Sequence, residues 1–125
     1  MQNNPIMQYK EQVINTMTKG EQLVLLFDEI LKNLHYGSMM MKDGNYPTSQ
    51  KCTEKCKEIF RYLSSILDMS NSISGNLYDL YYFANQQIIR AEVKRDPSLL
   101  DDLAPLVQDM RDTWAEAERL THIQK

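Results

Sequence analysis

The sequence predicts an all-α protein: an up-and-down antiparallel four-helix bundle with a short additional N-terminal helix lying across it. Three observations carry this expectation. Apolar residues recur with the helical period along nearly the whole chain. The breaks between these stretches carry helix-cap chemistry. Strand signals, an alternation with a period of two, are absent. The 125 residues suffice for one domain with a real core but not for two. Residues 1–125 therefore read as a single domain, with 4–17 as an N-terminal lid and 18–121 as the bundle.

From Pro5 to Met17, the side chains Ile6, Tyr9, Val13, Ile14 and Met17 share one side, in a stretch marginal as an isolated helix. Thr18 and Glu21 then form a capping box: the Thr oxygen takes the N3 amide and the Glu returns to the cap amide. The helix so started carries Leu23, Leu26, Phe27, Ile30, Leu34 and Met41 on one stripe and ends at Asp43-Gly44-Asn45. The next segment, Tyr46-Pro47 to Met69, gathers Cys52, Cys56, Ile59, Phe60, Leu63, Ile66 and Leu67 in a narrow arc. Ser70-Asn71-Ser72 offers N-cap oxygens to a fourth helix, whose main face is Ile73, Leu77, Leu80, Tyr81, Ala84, Ile88 and Ala91. Asp96-Pro97 reads as the N-cap and first position of a fifth. There Leu99, Leu103, Leu106, Val107, Met110, Trp114 and Ala117 fall together, and Pro105 predicts a kink or a late helix start. The last four stretches, of about 23 residues and roughly 35 Å each, joined by short connections, imply the antiparallel bundle.

Composition excludes several classes. Fourteen basic against seventeen acidic side chains give a net charge of −3, unlike a protein that coats nucleic acid or a membrane surface. The longest apolar run, Leu23 to Phe27, is far short of the roughly 20 residues that span a bilayer, so no membrane insertion is expected. Met1-Gln2-Asn3-Asn4-Pro5 shows no secretory pattern, and two cysteines make no disulfide framework, so a cytoplasmic location is expected. Di-iron bundles need Glu-x-x-His on two helices, whereas Lys32 precedes His35 and Arg119 precedes His122. Asp28, Asp68 and Asp79 are scattered, so a metal-dependent bundle enzyme is the weakest reading, and no cofactor is expected. Cys52 and Cys56, one turn apart, invite reading as a redox pair or half a zinc site. No second Cys or His pair completes a tetrahedron, and core packing is the better account. Phosphate loop, nucleophile elbow and His relay are all missing, so no enzyme is expected. Lys51, Lys55, Lys57 and Arg61 cluster on the third helix, but Glu54 and Glu58 interleave with them as ordinary solvated pairs.

What remains is surplus apolar surface. A bundle helix needs one apolar face; the fourth helix has two. Tyr78, Tyr82, Ile89 and Val93 form a second stripe, about 140° from the first by the 3.6-residue period. On the second helix, Val24 and Leu31 extend the core flank, while Leu25, Tyr36 and Met40 lie off it. The chain also holds eight methionines: Met17, Met41 and Met110 read as core, Met7 as lid and Met40 as groove. Tyr supplies amphipathic contact area, and Met repacks around varied partners. One reading is that both helices lie centrally and touch several neighbours. Another is a groove that accepts an amphipathic helix from a second protein, with Ile6, Met7, Tyr9 and Val13 as its lid. A structural homo-oligomer using the same stripe for self-association is the alternative, and the oligomeric state stays open.

The residues resemble the flagellar secretion chaperone family of FliS type. Asn4-Pro5-Ile6-Met7-Gln8-Tyr9 is similar to an opening Asn-Pro-Tyr-x-x-Tyr, and Leu26-Phe27-Asp28-Glu29-Ile30 to Leu-Tyr-Asp-Gly-Ala. Ile14 to Lys19 resembles Val-x-Thr-Ala-(Ser/Thr)-Pro. Leu67-Asp68 matches a Leu-Asp pair, and Ile73, Asn76, Leu77, Leu80 and Tyr81 match Ile-Ala-x-Asn-Leu-x-x-Leu-Tyr. Ala91 and Asp96 fit Ala-Asn-x-x-Asn-Asp, and Arg111 with Trp114 fits Arg-x-x-Trp. The succession runs from Asn4 to about Glu118; departures include Ile6 for Tyr, Lys19 for Pro, Glu29 for Gly and Glu92 for Asn. The resemblance implies a cytoplasmic holdase without ATPase activity. It would bind the disordered C-terminal segment of flagellin, prevent premature polymerisation and deliver it to the flagellar type III export apparatus. It also implies an N-terminal segment that moves aside for flagellin, and association with the export gate or an anti-sigma regulator.

Overall fold

A computed structural model of the chain describes residues 19–123. The segment 4–17 expected as a lid, and Thr18 expected as a cap, lie outside them. Four long helices and one short one are present: α1 (Lys19–Lys42), α2 (Tyr46–Ser65), α3 (Ser74–Lys94), α4 (Pro97–Asp101) and α5 (Ala104–Ile123), with no strand among the described residues.

Cross-helix contacts fix the alternating direction. The Ser49 hydroxyl on α2 donates to the Gly37 carbonyl on α1 at 2.8 Å, and further along the Cys56 thiol reaches the Ile30 carbonyl at 3.6 Å. Residue numbers rise on one helix as they fall on the other. The same holds for Asp28 with Arg111 and Ser38 with Asp101, and for Phe60 with Tyr81 and Thr53 with Glu92. In space α1 packs against α2, α4 and α5, α2 against α3, and α3 against α4. Contact between α3 and α5 is at most marginal, so the bundle is open along that side.

The core follows the predicted stripes with four corrections. Phe27, Ile30, Leu34, Cys56, Phe60, Leu63, Tyr81, Ala84, Ile88, Ala91, Leu103 and Val107 are all buried in one cluster. Ile66 and Ile73, expected on core faces, are exposed because the connection between α2 and α3 is longer than their helical pattern suggested. Short polar side chains divert the backbone there. The Ser65 hydroxyl donates to the Tyr62 carbonyl, the Asp68 carboxylate accepts from the Ser70 amide and hydroxyl, and Asn71 accepts from the Ile73 amide. Ala117 is exposed as well. In the fifth stretch, Asp96 caps α4 by accepting from the Ser98 amide at 3.0 Å, but α4 stops at Asp101. Helix α5 begins only at Ala104, the late start that Pro105 predicts. The interruption shifts the helical phase, so that Leu100 is fully buried and Leu99 only half-buried.

Both cysteines pack inside, as core residues. Burial, helped by the neighbouring Cys52 and Glu29, pushes the Cys56 thiol up to about 12, so it is neutral at physiological pH. Stripe counting passes over four small buried residues: Gly37, Ser49 and Thr53, which meet where α1 and α2 approach each other, and Ser38, which faces α4.

Candidate partner-binding face

Helix α3 has neighbours on only part of its circumference. Tyr81, Ala84, Ile88 and Ala91 face inward, with Phe60 and Tyr81 ring centroids 5.9 Å apart. About 140° away by helical geometry, the second stripe points to solvent: Tyr78 is 46% exposed, Tyr82 59%, Ile89 40% and Val93 79%. Over the fifteen helical steps from Tyr78 to Val93, this stripe is roughly 22 Å long. Phe83, which the stripe count missed, adds a further exposed ring on the same helix.

The border between this face and α2 is polar and tied down. The Lys57 ammonium bonds Glu92 and Glu54 at 2.8 Å each, and the fully buried Thr53 hydroxyl donates to Glu92 at 2.6 Å. Burial alone depresses the Lys57 pKa, but the hydrogen bonds Lys57 donates to Glu54 and Glu92 outweigh it and leave the net shift upward. Beside it, the Asn85 amide donates weakly to the Lys57 carbonyl at 3.5 Å, while its own oxygen is buried with no hydrogen-bond partner among the described residues. At the C-terminal end of α3 the face runs into a recess of about 240 Å³, lined by Tyr46, Thr53, Glu92, Val93 and Arg95 among others. Arg95 caps α3 with φ 51°, a left-handed conformation that usually takes Gly and costs an L-residue about 1 kcal/mol. Its guanidinium lies 4.0 Å above the centre of the Tyr46 ring.

The predicted partner residues divide into three groups. Tyr78, Tyr82, Ile89 and Val93 share the face just described. Val24 is half-buried on the other side of the bundle, in a shallow recess with Ala115, Glu118 and Arg119, and Leu31 packs against the core. Because α2 and α4 lie between α1 and α3, the structure does not bring these two together with the α3 stripe. Ile6, Met7, Tyr9 and Val13 lie outside the described residues. A third apolar feature escaped the sequence reading. At the open α3–α5 side, Leu23, Leu63, Leu67, Leu77, Tyr81 and Trp114 line a recess of about 220 Å³. No periodicity count on a single helix shows a feature assembled from four of them.

Among the described residues no three of His, Cys, Asp or Glu gather as a metal site needs, and no helix is long and apolar enough to cross a membrane. Among the described residues, then, the molecule is an α-helical bundle with an exposed apolar stripe on α3 and neutral buried thiols. The sequence model of the family described as Flagellar protein FliS matches residues 1–121, and the chain belongs to that family. Similar proteins include the Flagellar secretion chaperone FliS of Bacillus subtilis (strain 168), 24% identical over 91% of this chain and 86% of that one. The Flagellar secretion chaperone FliS of Vibrio cholerae serotype O1 is 32% identical over 72% of this chain and 68% of that one. Among solved structures, "Crystal structure of flagellar chaperone from bacteria" covers 92% of this chain and 98% of its own, with TM-score 0.76 and 19% identity, and so supports the fold. The family is one of chaperones, not enzymes, and membership supports a flagellar export chaperone role.

Much of the family resemblance now has a structural account. Asp28 and Arg111, from two separate matching blocks, form the 2.9 Å ion pair that joins α1 to α5. Asp68 shapes the turn after α2, Asp96 caps α4, and Trp114 lines the open recess. Glu92, where the family pattern has Asn, is the carboxylate that Lys57 and Thr53 share.

Proposed function

We propose that this protein is a cytoplasmic export chaperone that holds the C-terminal segment of flagellin, prevents its premature polymerisation and delivers it to the flagellar type III export apparatus. The observation that carries this reading is the 22 Å apolar face of α3, whose Tyr78, Tyr82, Ile89 and Val93 are exposed on a helix already anchored by a separate core stripe. An amphipathic segment laid along that face buries an apolar stripe that would otherwise pair with another flagellin. Ordering the segment offsets a few kcal/mol of that gain, which keeps the complex releasable. No covalent step or nucleotide is required. The full partner-binding set comprises Ile6, Met7, Tyr9 and Val13 as a displaceable lid, Val24 and Leu31 on α1, and Tyr78, Tyr82, Ile89 and Val93 on α3. Since Val24 and Leu31 lie across the bundle from α3, a segment that meets both must wrap round it rather than fill one groove. The export gate and an anti-sigma regulator are further partners of this reading. Calorimetric titration of the host flagellin's C-terminal segment tests it. Tyr78→Ser, Tyr82→Ser and Ile89→Ser together should weaken binding at least tenfold with helicity unchanged; undiminished affinity removes α3 from the binding surface.

A further inference from the structure

The apolar face of α3 is not the same at its two ends. Near Val93 in the chain, the most exposed of the large apolar side chains described, come three cations at the C-terminal end of α3: Arg90, one turn before it, and Lys94 and Arg95, just after it. Arg90 and Lys94 are one helical turn apart and exposed; Arg95 borders the same recess as Val93. None of the three forms an ion pair among the described residues, although acids are close in sequence. Those acids are engaged elsewhere: Glu92 with Lys57 and Thr53, Glu54 with Lys57, and Asp96 with the Ser98 amide and hydroxyl. At the opposite end, the neighbour of Tyr78 is the acidic Asp79.

We infer that the α3 face is directional: its basic end, Arg90, Lys94 and Arg95, receives an acidic stretch of the bound segment, whose uncharged apolar part lies over Tyr78 and Tyr82. This rests on the proposed function and adds the chemistry and orientation of the ligand. A helix C-terminus tolerates cations for its dipole alone, but that does not account for Arg95. The dipole is served by Lys94, whereas Arg95 occupies a left-handed position that favours Gly, with its planar fork held over Tyr46. A guanidinium fixed in this way is suited to a carboxylate, which it can bind through two parallel hydrogen bonds. Nucleic acid is the poorer occupant: three cations come near an exposed Val in a chain of net charge −3.

The test is a titration of the whole chain with the host flagellin's C-terminal segment, at low and high sodium chloride. Arg90→Gln, Lys94→Gln and Arg95→Gln together should weaken binding about tenfold at low salt and remove most of its salt dependence. Neutralising the segment's own Asp and Glu residues should produce the same loss on the wild-type protein and no further loss on the triple variant. Wild-type affinity in the triple variant, or losses that simply add, overturn the inference while leaving the proposed function standing. Tighter binding of a duplex oligonucleotide than of the segment by the wild type also overturns it. Failure of the wild type to bind the segment at all removes the proposed function and the inference together. Circular dichroism of the triple variant, expected to be unchanged, separates lost binding from lost fold.

Discussion

The seam between α1 and α2 and the outer face of α3 are built from opposite materials. At the seam, small and partly polar residues are enclosed: Gly37, Ser49 and Thr53 are buried, and the Ser49 hydroxyl is spent on a backbone carbonyl of the facing helix. On α3, large apolar side chains stand in solvent while Ala84 and Ala91 fill the interior. The difference follows from neighbours. Helix α1 is flanked by α2, α4 and α5, whereas α3 packs on α2 and α4 and, among the described residues, has little contact with α5. Close approach at one place needs small residues; exposure of Tyr, Ile and Val at another has no folding benefit, which is what the proposed function takes up.

The widest separation between the two regions should appear in stability. Phe60 is fully buried at the α2–α3 contact. Phe60→Ala should lower unfolding free energy by about 3–5 kcal/mol, because it removes buried area and leaves a cavity. Tyr82→Ala, on the outer face, should change it by less than about 1 kcal/mol. Urea unfolding of both variants measures the contrast. A loss at Tyr82 comparable to that at Phe60 means that the α3 face is structural.

This contrast explains how far the sequence could be read. The helices, the cap at Asp96 and the double face of α3 were legible, since each depends on residues near one another in the chain. The N-cap expected from Ser70-Asn71-Ser72 is not formed: α3 starts after Ile73 with no side-chain cap bond. Ile66 and Ile73 were misplaced because hydrophobic period continues through a turn made by Asp68, Ser70 and Asn71, whose hydrogen bonds have no periodic signature. The buried small residues and the recess around Trp114 depend on which helices meet. The phase along one helix does not encode that. For the same reason, Val24 and the α3 stripe, grouped by composition into one groove, lie on different sides of the bundle.

A smaller effect tests the seam directly. A side-chain carbon at Gly37 would lie 3.1 Å from the Cys52 Cβ and 3.6 Å from the Ser49 carbonyl oxygen. Gly37→Val should therefore force α1 and α2 apart and lower stability by about 1–3 kcal/mol, despite relieving the intrinsic helix penalty of Gly. Thermal unfolding followed by circular dichroism reads this as a lower midpoint. If the midpoint rises instead, the seam has slack, and the material difference between the two regions is not one of packing.

The smallest expected effect concerns α4, the strap between them. On one side the Gln87 amide of α3 donates to the Leu99 carbonyl at 3.0 Å. On the other, Asp101 accepts from the Ser38 hydroxyl of α1 at 2.6 Å and pairs with Lys42 at 3.1 Å. The Ser38 hydrogen bond, opposed by partial burial and aided by Lys42, holds the Asp101 carboxyl below its ordinary value of 3.8. With a folded pKa below the unfolded one, the unfolded chain takes up the proton first. This contribution is therefore intact above about the ordinary carboxylate range and is lost as pH falls through the depressed folded value. Asp101 is 47% exposed, so solvent screening keeps the contribution below about 1 kcal/mol. Asp101→Asn should lower the urea midpoint slightly at neutral pH and flatten its decline in acid, leaving the two proteins nearly equal once Asp101 is protonated. An acid limb equally steep in both proteins means that α4 is held by Leu100 and its apolar contacts alone. The link between the rigid seam and the open face would then be hydrophobic, with no ionic part to it.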